Sequence, residues 1–150
     1  MLRDKRNDLF HLLNMLESIG KIEKYIGRTS GVDEFVNEDD QLTYNATLTL
    51  LANVGESIAK LSDETQNELK TIDINAIRGM RNRIVHDYTG LDSFIVYDVA
   101  KNKLDDLRTA VEIIINRNLK SGRFDREEYR VSENDSFYRH VRFEKINTAS

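Results

Sequence analysis

Apolar residues recur at steps of three and four over most of the chain, which is the spacing of helices that bury one face. The first such stripe lies within residues 3–26 and consists of Leu9, Leu12, Leu13, Leu16, Ile19 and Ile26. A short helical turn at residues 32–36, which docks Phe35, is predicted before a second stripe at residues 39–61. The second stripe is predicted to consist of Leu42, Ala46, Leu50, Val54, Ile58 and Leu61. Because glycine costs about 1 kcal/mol in a helix interior, Gly55 predicts a close approach of another helix.

Two further long helices are predicted in the second half of the chain. One begins at Asp73, a residue type that caps helix N-termini, and runs to His86. The other begins at Asp92 or Ser93 and ends near Gly122. Four long helices with short connections predict an all-α fold, an antiparallel helical bundle of four principal helices plus short helical turns.

The last part of the sequence has a different pattern, because its apolar residues keep no steady period. We therefore divide the chain into a helical domain at residues 3–122 and an irregular C-terminal extension at residues 123–150. The alternation around Val141, Arg142 and Phe143 fits a small hairpin. The extension fits equally well an arm that becomes ordered on a partner.

Composition narrows the classes of function. The 150 residues carry a formal net charge of −4, so the chain as a whole does not attract nucleic acid, and any binding to RNA needs a local basic patch. Cysteine is absent, which excludes thiolate nucleophiles and thiolate metal sites. No segment approaches the roughly 20 apolar residues that span a bilayer, and no secretory segment is recognisable. We expect a cytoplasmic protein with no membrane partner, no bound metal and no cofactor.

The side chains that are best suited to catalysis are concentrated between Arg81 and Tyr88. A neutral imidazole at His86 can take a proton from a ribose 2′-hydroxyl, and the imidazolium can return a proton to a leaving group. A guanidinium at Arg81 can hold phosphate oxygens and stabilise the charge that builds on them. Asn82 can orient the imidazole or bond a non-bridging oxygen. These residue types suit RNA cleavage without a metal.

Helical geometry separates the two candidate catalytic residues. Five residues of helix place Arg81 and His86 about 140° apart around the axis, so they do not share a face. Either the helix unwinds near His86 and lets the imidazole swing, or a site forms between two copies of the chain. A symmetric dimer would allow Arg81 of one helix to meet His86 of the other.

The same residues also have ordinary structural interpretations. Arg81 could pair with a carboxylate and His86 could lie at a helix C-terminus, where a cation is favoured. Tyr88 could be a half-buried packing residue, although its hydroxyl is also a site for covalent modification. A phosphate-type group on Tyr88 would place negative charge beside Arg81 and His86 and repel RNA.

The motif and its surroundings resemble the HEPN superfamily, specifically the HepT-like (DUF86) toxins of prokaryotic MNT/HEPN toxin–antitoxin pairs. That family carries an Arg–x4–His–x–Tyr motif, matched here by Arg81, His86 and Tyr88, and Asn82 is the polar residue that commonly follows the arginine. The segment 53–62 resembles the family's second long helix. The resemblance covers about residues 3 to 118. The usual tryptophan before the motif helix is replaced by the sequence Thr-Ile-Asp-Ile, and the resemblance does not extend to the C-terminal extension.

The resemblance implies a HEPN-like bundle that forms a homodimer or a higher homo-oligomer, with two motifs at the interface. It implies a metal-independent endoribonuclease toxin of a type VII-like system, with Arg81 and His86 catalytic, Asn82 supporting, and tRNA or mRNA as substrate. It also implies an MNT-type nucleotidyltransferase antitoxin that silences the toxin by adenylylating Tyr88. The alternative is a non-catalytic helical subunit that binds a nucleotidyltransferase partner without cutting RNA.

Overall fold

A computed structural model describes residues 7–149 of the chain. Within that range the chain forms eight α-helices and no strands, which confirms the predicted all-α bundle. The long helices are α1 (Asp8–Ile26), α2 (Val32–Lys60), α4 (Ile74–His86) and α6 (Asp105–Lys120). The short helices are α3 (Asp63–Glu68), α5 (Ser93–Asp98), α7 (Arg126–Glu133) and α8 (Phe143–Thr148). The start that was predicted for the first helix, at residue 3, lies outside the described residues.

The core is built around α1, which packs against both α2 and α6. Leu12, Leu13 and Ile22 of α1 are completely buried, in agreement with its apolar stripe. On its other side α2 packs against α4. The position of α4, which carries the motif, is therefore set mainly by α2.

The helix α2 contains a sharp break that separates its first turns from its long C-terminal part. Glu38 has an extended ψ of 150°, and the next three residues, Asp39, Asp40 and Gln41, have φ values of 50°, 55° and 68°. The turn before the break buries Phe35 completely, as predicted. Three consecutive non-glycine residues with left-handed backbone are unusual, although Asp tolerates this region better than most residues.

The buried face of α2 differs from the predicted stripe in its first half. Leu42, which the pattern placed in the core, is 63% exposed. Residues at steps of four drift about 40° around a helix at each step, so the predicted series could not stay on one face. The face that packs against the core consists of Phe35, Thr43, Thr47, Leu48, Leu51, Val54, Gly55, Ser57 and Ile58.

The last predicted long helix is interrupted. Its N-cap is Asp92, whose side chain accepts a hydrogen bond from the Phe94 N–H at 2.9 Å. After α5 the backbone makes a wider π-helical turn at Val99–Lys103 before α6 begins. The π turn keeps Val99 and Ala100 buried on the core side.

The C-terminal extension forms α7 and α8, so the hairpin that the sequence suggested around Val141 is not formed. Tyr129 of α7 and Ile146 of α8 are buried, and α8 packs against α6. Helices of eight and six residues contain too few apolar positions to reveal a period, which is why the pattern was ambiguous. No helix in the described part of the chain is long and apolar enough to cross a membrane.

Candidate active site

The motif lies on α4 and on the turn that follows it. Asp73 caps α4 as predicted, since its carboxylate accepts a hydrogen bond from the Ala76 N–H at 3.3 Å. The buried face of α4 consists of Ile77, Met80 and Ile84. Its sequence otherwise contains three arginines, one histidine and no acidic residue, although the whole chain is acidic. The helix is therefore a local basic element, as RNA binding by this chain requires.

Arg81 is half-buried and points toward α2. Its Nη2 lies 2.7 Å from Oε2 of Glu56, and its Nη1 donates to Asn82 Oδ1 at 3.0 Å. These two contacts hold the plane of the guanidinium in one orientation. The remaining N–H groups of the fork are available for phosphate oxygens.

The close approach predicted at Gly55 is confirmed, and its partner is Arg81. A Cβ atom added at Gly55 would lie 2.5 Å from Arg81 Cβ and 3.0 Å from Arg81 Cγ. A Cβ atom cannot lie 2.5 Å from another carbon without a shift of the backbone, so only glycine allows α2 and α4 to pack this closely. The base of the Arg81 side chain is thus held directly against the backbone of α2.

His86 is the last residue of α4 and is exposed. The helix stays regular as far as this residue, and Asp87 then leaves helical geometry with a φ of −144°. Arg81 therefore faces α2, whereas the imidazole of His86 projects about 140° away around the helix axis. Within one chain the structure does not bring the two candidate catalytic side chains together.

Tyr88 begins a short 3-10 turn, Tyr88–Gly90, and its side chain is 50% exposed. Its hydroxyl donates a hydrogen bond to Asn45 Oδ1 of α2 at 2.5 Å. The neighbouring Tyr44 is less accessible, and burial, with additional effects from Tyr88 and Asp92, raises the pKa of its phenol. Tyr88 is therefore the more accessible phenol at this end of the bundle.

Sequence reasoning missed Glu56 and Asn45, the two α2 residues that contact the motif. A signal for Glu56 was present, because it directly follows the glycine that marks the helix contact. Asn45 gave no signal, since an exposed amide on a polar stretch of helix is ordinary. Both contacts depend on how α2 and α4 are rotated relative to each other, and a single sequence does not specify that rotation.

The other two histidines, His11 and His140, lie outside the motif and are packed into the fold. His140 in the C-terminal extension pairs with the buried carboxylate of Glu17, with 2.8 Å between Nδ1 and Oε2, and its backbone N–H donates to Glu17 Oε1 at 2.7 Å. His11 is buried in α1. Over residues 7–149, no three His, Cys, Asp or Glu side chains are grouped so that they could hold a metal ion.

The fold and the motif define a helical bundle that carries Arg–x4–His–x–Tyr on its third long helix and the turn that follows it. The model of the family described as Ribonuclease HepT-like matches residues 15–114, so the chain belongs to that family. This confirms the predicted family and, at the level of the family, an enzyme of the ribonuclease class.

Several proteins are similar in sequence to this chain. “Putative RNase MJ0125” of Methanocaldococcus jannaschii is 26% identical over 113 residues, which cover 75% of this chain and 92% of the relative. “Putative RNase MJ1216” of the same organism is also 26% identical over 113 residues, covering 75% and 88%. “Putative RNase TTE0752” of Caldanaerobacter subterraneus subsp. tengcongensis is 24% identical over 118 residues, covering 77% and 98%. No solved structure matches the chain.

Proposed function

We propose that this protein is a metal-independent endoribonuclease toxin in which Arg81 and His86 are catalytic across a dimer interface. Family membership supports ribonuclease chemistry. The observation that carries the residue assignment is the arrangement on α4: an oriented guanidinium at Arg81 and an exposed imidazole at His86 on a helix without acidic residues. We place this activity in the cytoplasm, with tRNA or mRNA as the substrate.

The proposed reaction is an internal transfer at phosphorus. The imidazole of His86 takes the proton of a ribose 2′-hydroxyl, and the 2′-oxygen then bonds to the adjacent phosphorus. The bond from phosphorus to the 5′-oxygen breaks, and the His86 imidazolium formed in the first step returns its proton through water to the leaving oxygen. Arg81 stabilises the charge on the non-bridging oxygens, with Asn82 in support. The products are a 2′,3′-cyclic phosphate and a 5′-hydroxyl.

The dimer is supported by the apolar surface near the motif. Among residues 7–149, seven large apolar side chains are exposed, and four of them, Leu42, Val85, Phe94 and Ile95, lie on α2, α4 and α5. The elements belong together, since α2 packs against α4 and α5 and the Tyr88 hydroxyl bonds Asn45. A concentration of exposed apolar residues is typical of a protein–protein interface. A twofold axis here would bring two copies of the motif together.

We further propose that an MNT-type nucleotidyltransferase antitoxin adenylylates Tyr88. The exposure of Tyr88 supports this, and so does its place two residues after His86. An AMP group on Tyr88 would add negative charge and bulk where the scissile phosphate has to bind.

The direct test is cleavage of RNA by purified protein in EDTA. We expect cleavage by the wild type and its loss in both Arg81→Ala and His86→Ala, with product ends that carry the cyclic phosphate. Undiminished cleavage in both variants would overturn the assignment. Arg126→Ala serves as the control, because Arg126 is an exposed arginine of α7 that lies outside the motif and outside α4.

A second candidate function is a non-catalytic subunit that binds a nucleotidyltransferase. Its support is that Arg81 is already ion-paired with Glu56 and faces away from His86 within one chain. Expression of the chain alone distinguishes the two functions. Growth arrest that His86→Ala abolishes contradicts the passive subunit, whereas no arrest in either case favours it.

A further inference from the structure

A groove of about 470 Å³ runs between α1 and α2 and is closed on one side by the C-terminal extension. Its volume is within the range of about 300–1,000 Å³ that is usual for small-molecule sites. Neither the motif chemistry nor the apolar surface around Tyr88 accounts for it. We call it the α1–α2 groove.

The α1–α2 groove combines side chains that suit one nucleotide. Phe137 of the C-terminal extension lines it with a ring that is 56% exposed, which is unusual for a phenylalanine. Asn14 and Asn53 contribute amides that can hydrogen-bond base edges. Lys21 and Lys60 contribute ammonium groups, and the Lys21 Nζ lies 5.9 Å from the centroid of the Phe137 ring.

The acidic groups of the groove are matched by cations. Glu17 is buried and contacts both His140 and Lys21, with 3.7 Å between its Oε2 and Lys21 Nζ. Glu56 is paired with Arg81 and lies 3.9 Å from Lys60 Nζ. The carboxylates are therefore held by partners, so the groove does not present free negative charge to an anionic ligand.

The groove is continuous with the candidate active site. Glu56 lines the groove, and the same carboxylate contacts the Arg81 guanidinium at 2.7 Å. A strand whose phosphate is bound by Arg81 can therefore continue into the groove with its next nucleotide. Single-stranded nucleic acids are generally held this way, by aromatic rings beneath the bases and cations along the backbone.

We propose that the α1–α2 groove is an RNA subsite that binds a nucleotide flanking the cleaved bond, with its base stacked on Phe137 and its phosphate near Lys21 or Lys60. This inference rests on RNA being the ligand of the proposed function. It gives the C-terminal extension a role, since the pairing of His140 with Glu17 fixes the segment that presents Phe137.

Binding of a 2′-O-methylated single-stranded RNA tests the subsite, because this ligand lacks the attacking hydroxyl and stays intact. We expect Phe137→Ala to weaken binding about tenfold in fluorescence anisotropy. Phe137→Tyr keeps an aromatic ring and should bind like the wild type. Val131→Ala is the matched control, since Val131 is also in the C-terminal extension and is 58% exposed but does not line the groove. Lys60→Ala should remove about one phosphate contact. The slope of the logarithm of the binding constant against the logarithm of the salt concentration should then become shallower by about one.

Unchanged binding by Phe137→Ala, or equal weakening by Val131→Ala, would overturn the subsite. An absence of binding by the wild type would overturn it as well. Failure of the proposed function gives a different result: Phe137→Ala weakens binding of the methylated RNA, but unmodified RNA is not cut. Failure of the subsite alone leaves cleavage that depends on His86 together with unchanged binding by Phe137→Ala.

Discussion

The guanidinium of Arg81 forms an ion pair with the carboxylate of Glu56, with 2.7 Å between Nη2 and Oε2. This contact joins the motif helix α4 to α2 next to Gly55, where the two helices come closest. Arg81 is therefore fixed at its base by backbone packing and at its end by a carboxylate. The orientation of the candidate phosphate-binding group depends on α2 as much as on the motif.

Replacing Glu56 should reduce the rate of cleavage rather than the binding of RNA. Without the carboxylate, the guanidinium loses one of its two fixed contacts, and small displacements of a positioning group are costly in catalysis. We expect Glu56→Ala to lower kcat about tenfold without raising KM, because removal of the carboxylate also frees Lys60 to contact RNA. Steady-state cleavage kinetics provide the measurement. Glu56→Gln, which can still accept a hydrogen bond, should recover part of the rate, and an unaltered kcat in Glu56→Ala would contradict the positioning role.

The close contact at Gly55 predicts a stability difference between two glycines. A methyl group at Gly55 would overlap Arg81 Cβ, so Gly55→Ala forces α2 and α4 apart and should destabilise the fold by about 1–3 kcal/mol. Gly79→Ala is the control, because a Cβ at this helical position meets no atom within 4 Å. It should stabilise α4 by about 0.5–1 kcal/mol. Urea unfolding measures both, and equal effects at the two positions would contradict the packing.

Adenylylation by the proposed antitoxin should be specific to Tyr88. Tyr88 is half exposed, whereas Tyr44 packs edge-on against Phe35 with 5.7 Å between ring centroids. After co-expression with an MNT-type nucleotidyltransferase, we expect intact-mass spectra to show one or more added AMP groups. Tyr88→Phe should abolish the added mass, and Tyr44→Phe should not. A modified Tyr88→Phe protein would assign the site to another residue.

Asp8 should make stability depend on pH in the acidic range. Burial opposes ionisation of this carboxyl, but hydrogen bonds from Ser62 and Thr65 and the charge of Arg123 outweigh it and lower the pKa of Asp8. The Ser62 N–H lies 2.9 Å and the Thr65 hydroxyl 2.6 Å from the carboxylate oxygens. Because the pKa is lower in the folded state, this stabilisation is complete above the ordinary carboxyl pKa. It is lost as the pH falls through the folded value.

Urea unfolding from neutral to acidic pH measures the contribution of Asp8. Asp8→Asn should lower the free energy of unfolding at neutral pH by about 1–3 kcal/mol, and the difference from the wild type should shrink on acidification. Asp106→Asn is the control, since Asp106 is exposed on α6. If the difference in the free energy of unfolding between the wild type and Asp8→Asn stays constant down to low pH, the ionised carboxylate of Asp8 is not what stabilises the fold.

The sequence predicted the parts of the fold that depend on local pattern. The cap at Asp73, the end of α4 near His86 and the glycine contact at Gly55 each follow from the chemistry of single residues. The exposure of Leu42 follows from the drift of a four-residue spacing around the helix, whereas the burial of Thr43 and Thr47 in place of apolar residues was not predictable from the pattern. The helices of the C-terminal extension were also missed, since they depend on distant partners such as Asn116, whose amide donates to the Ile146 carbonyl of α8.

The candidate site was predictable only as a set of residues. The motif named Arg81 and His86, and helical geometry showed that they face different directions. Their relation to Glu56 and Asn45 required the packing of α2 against α4. The pairing of two motifs is a property of two chains, so neither one sequence nor one folded chain contains it.

The most direct test of a site shared between two copies is RNA cleavage by a mixed dimer. The Arg81→Ala and His86→Ala chains are co-expressed with different tags, and the mixed dimer is purified by using both tags in turn. This dimer contains one intact Arg81 on one chain and one intact His86 on the other. If each site takes Arg81 from one chain and His86 from the other, one of the two sites is complete. We predict that the mixed dimer recovers about half of the wild-type cleavage activity, while each variant alone is inactive. A mixed dimer that is as inactive as the separate variants would contradict the account.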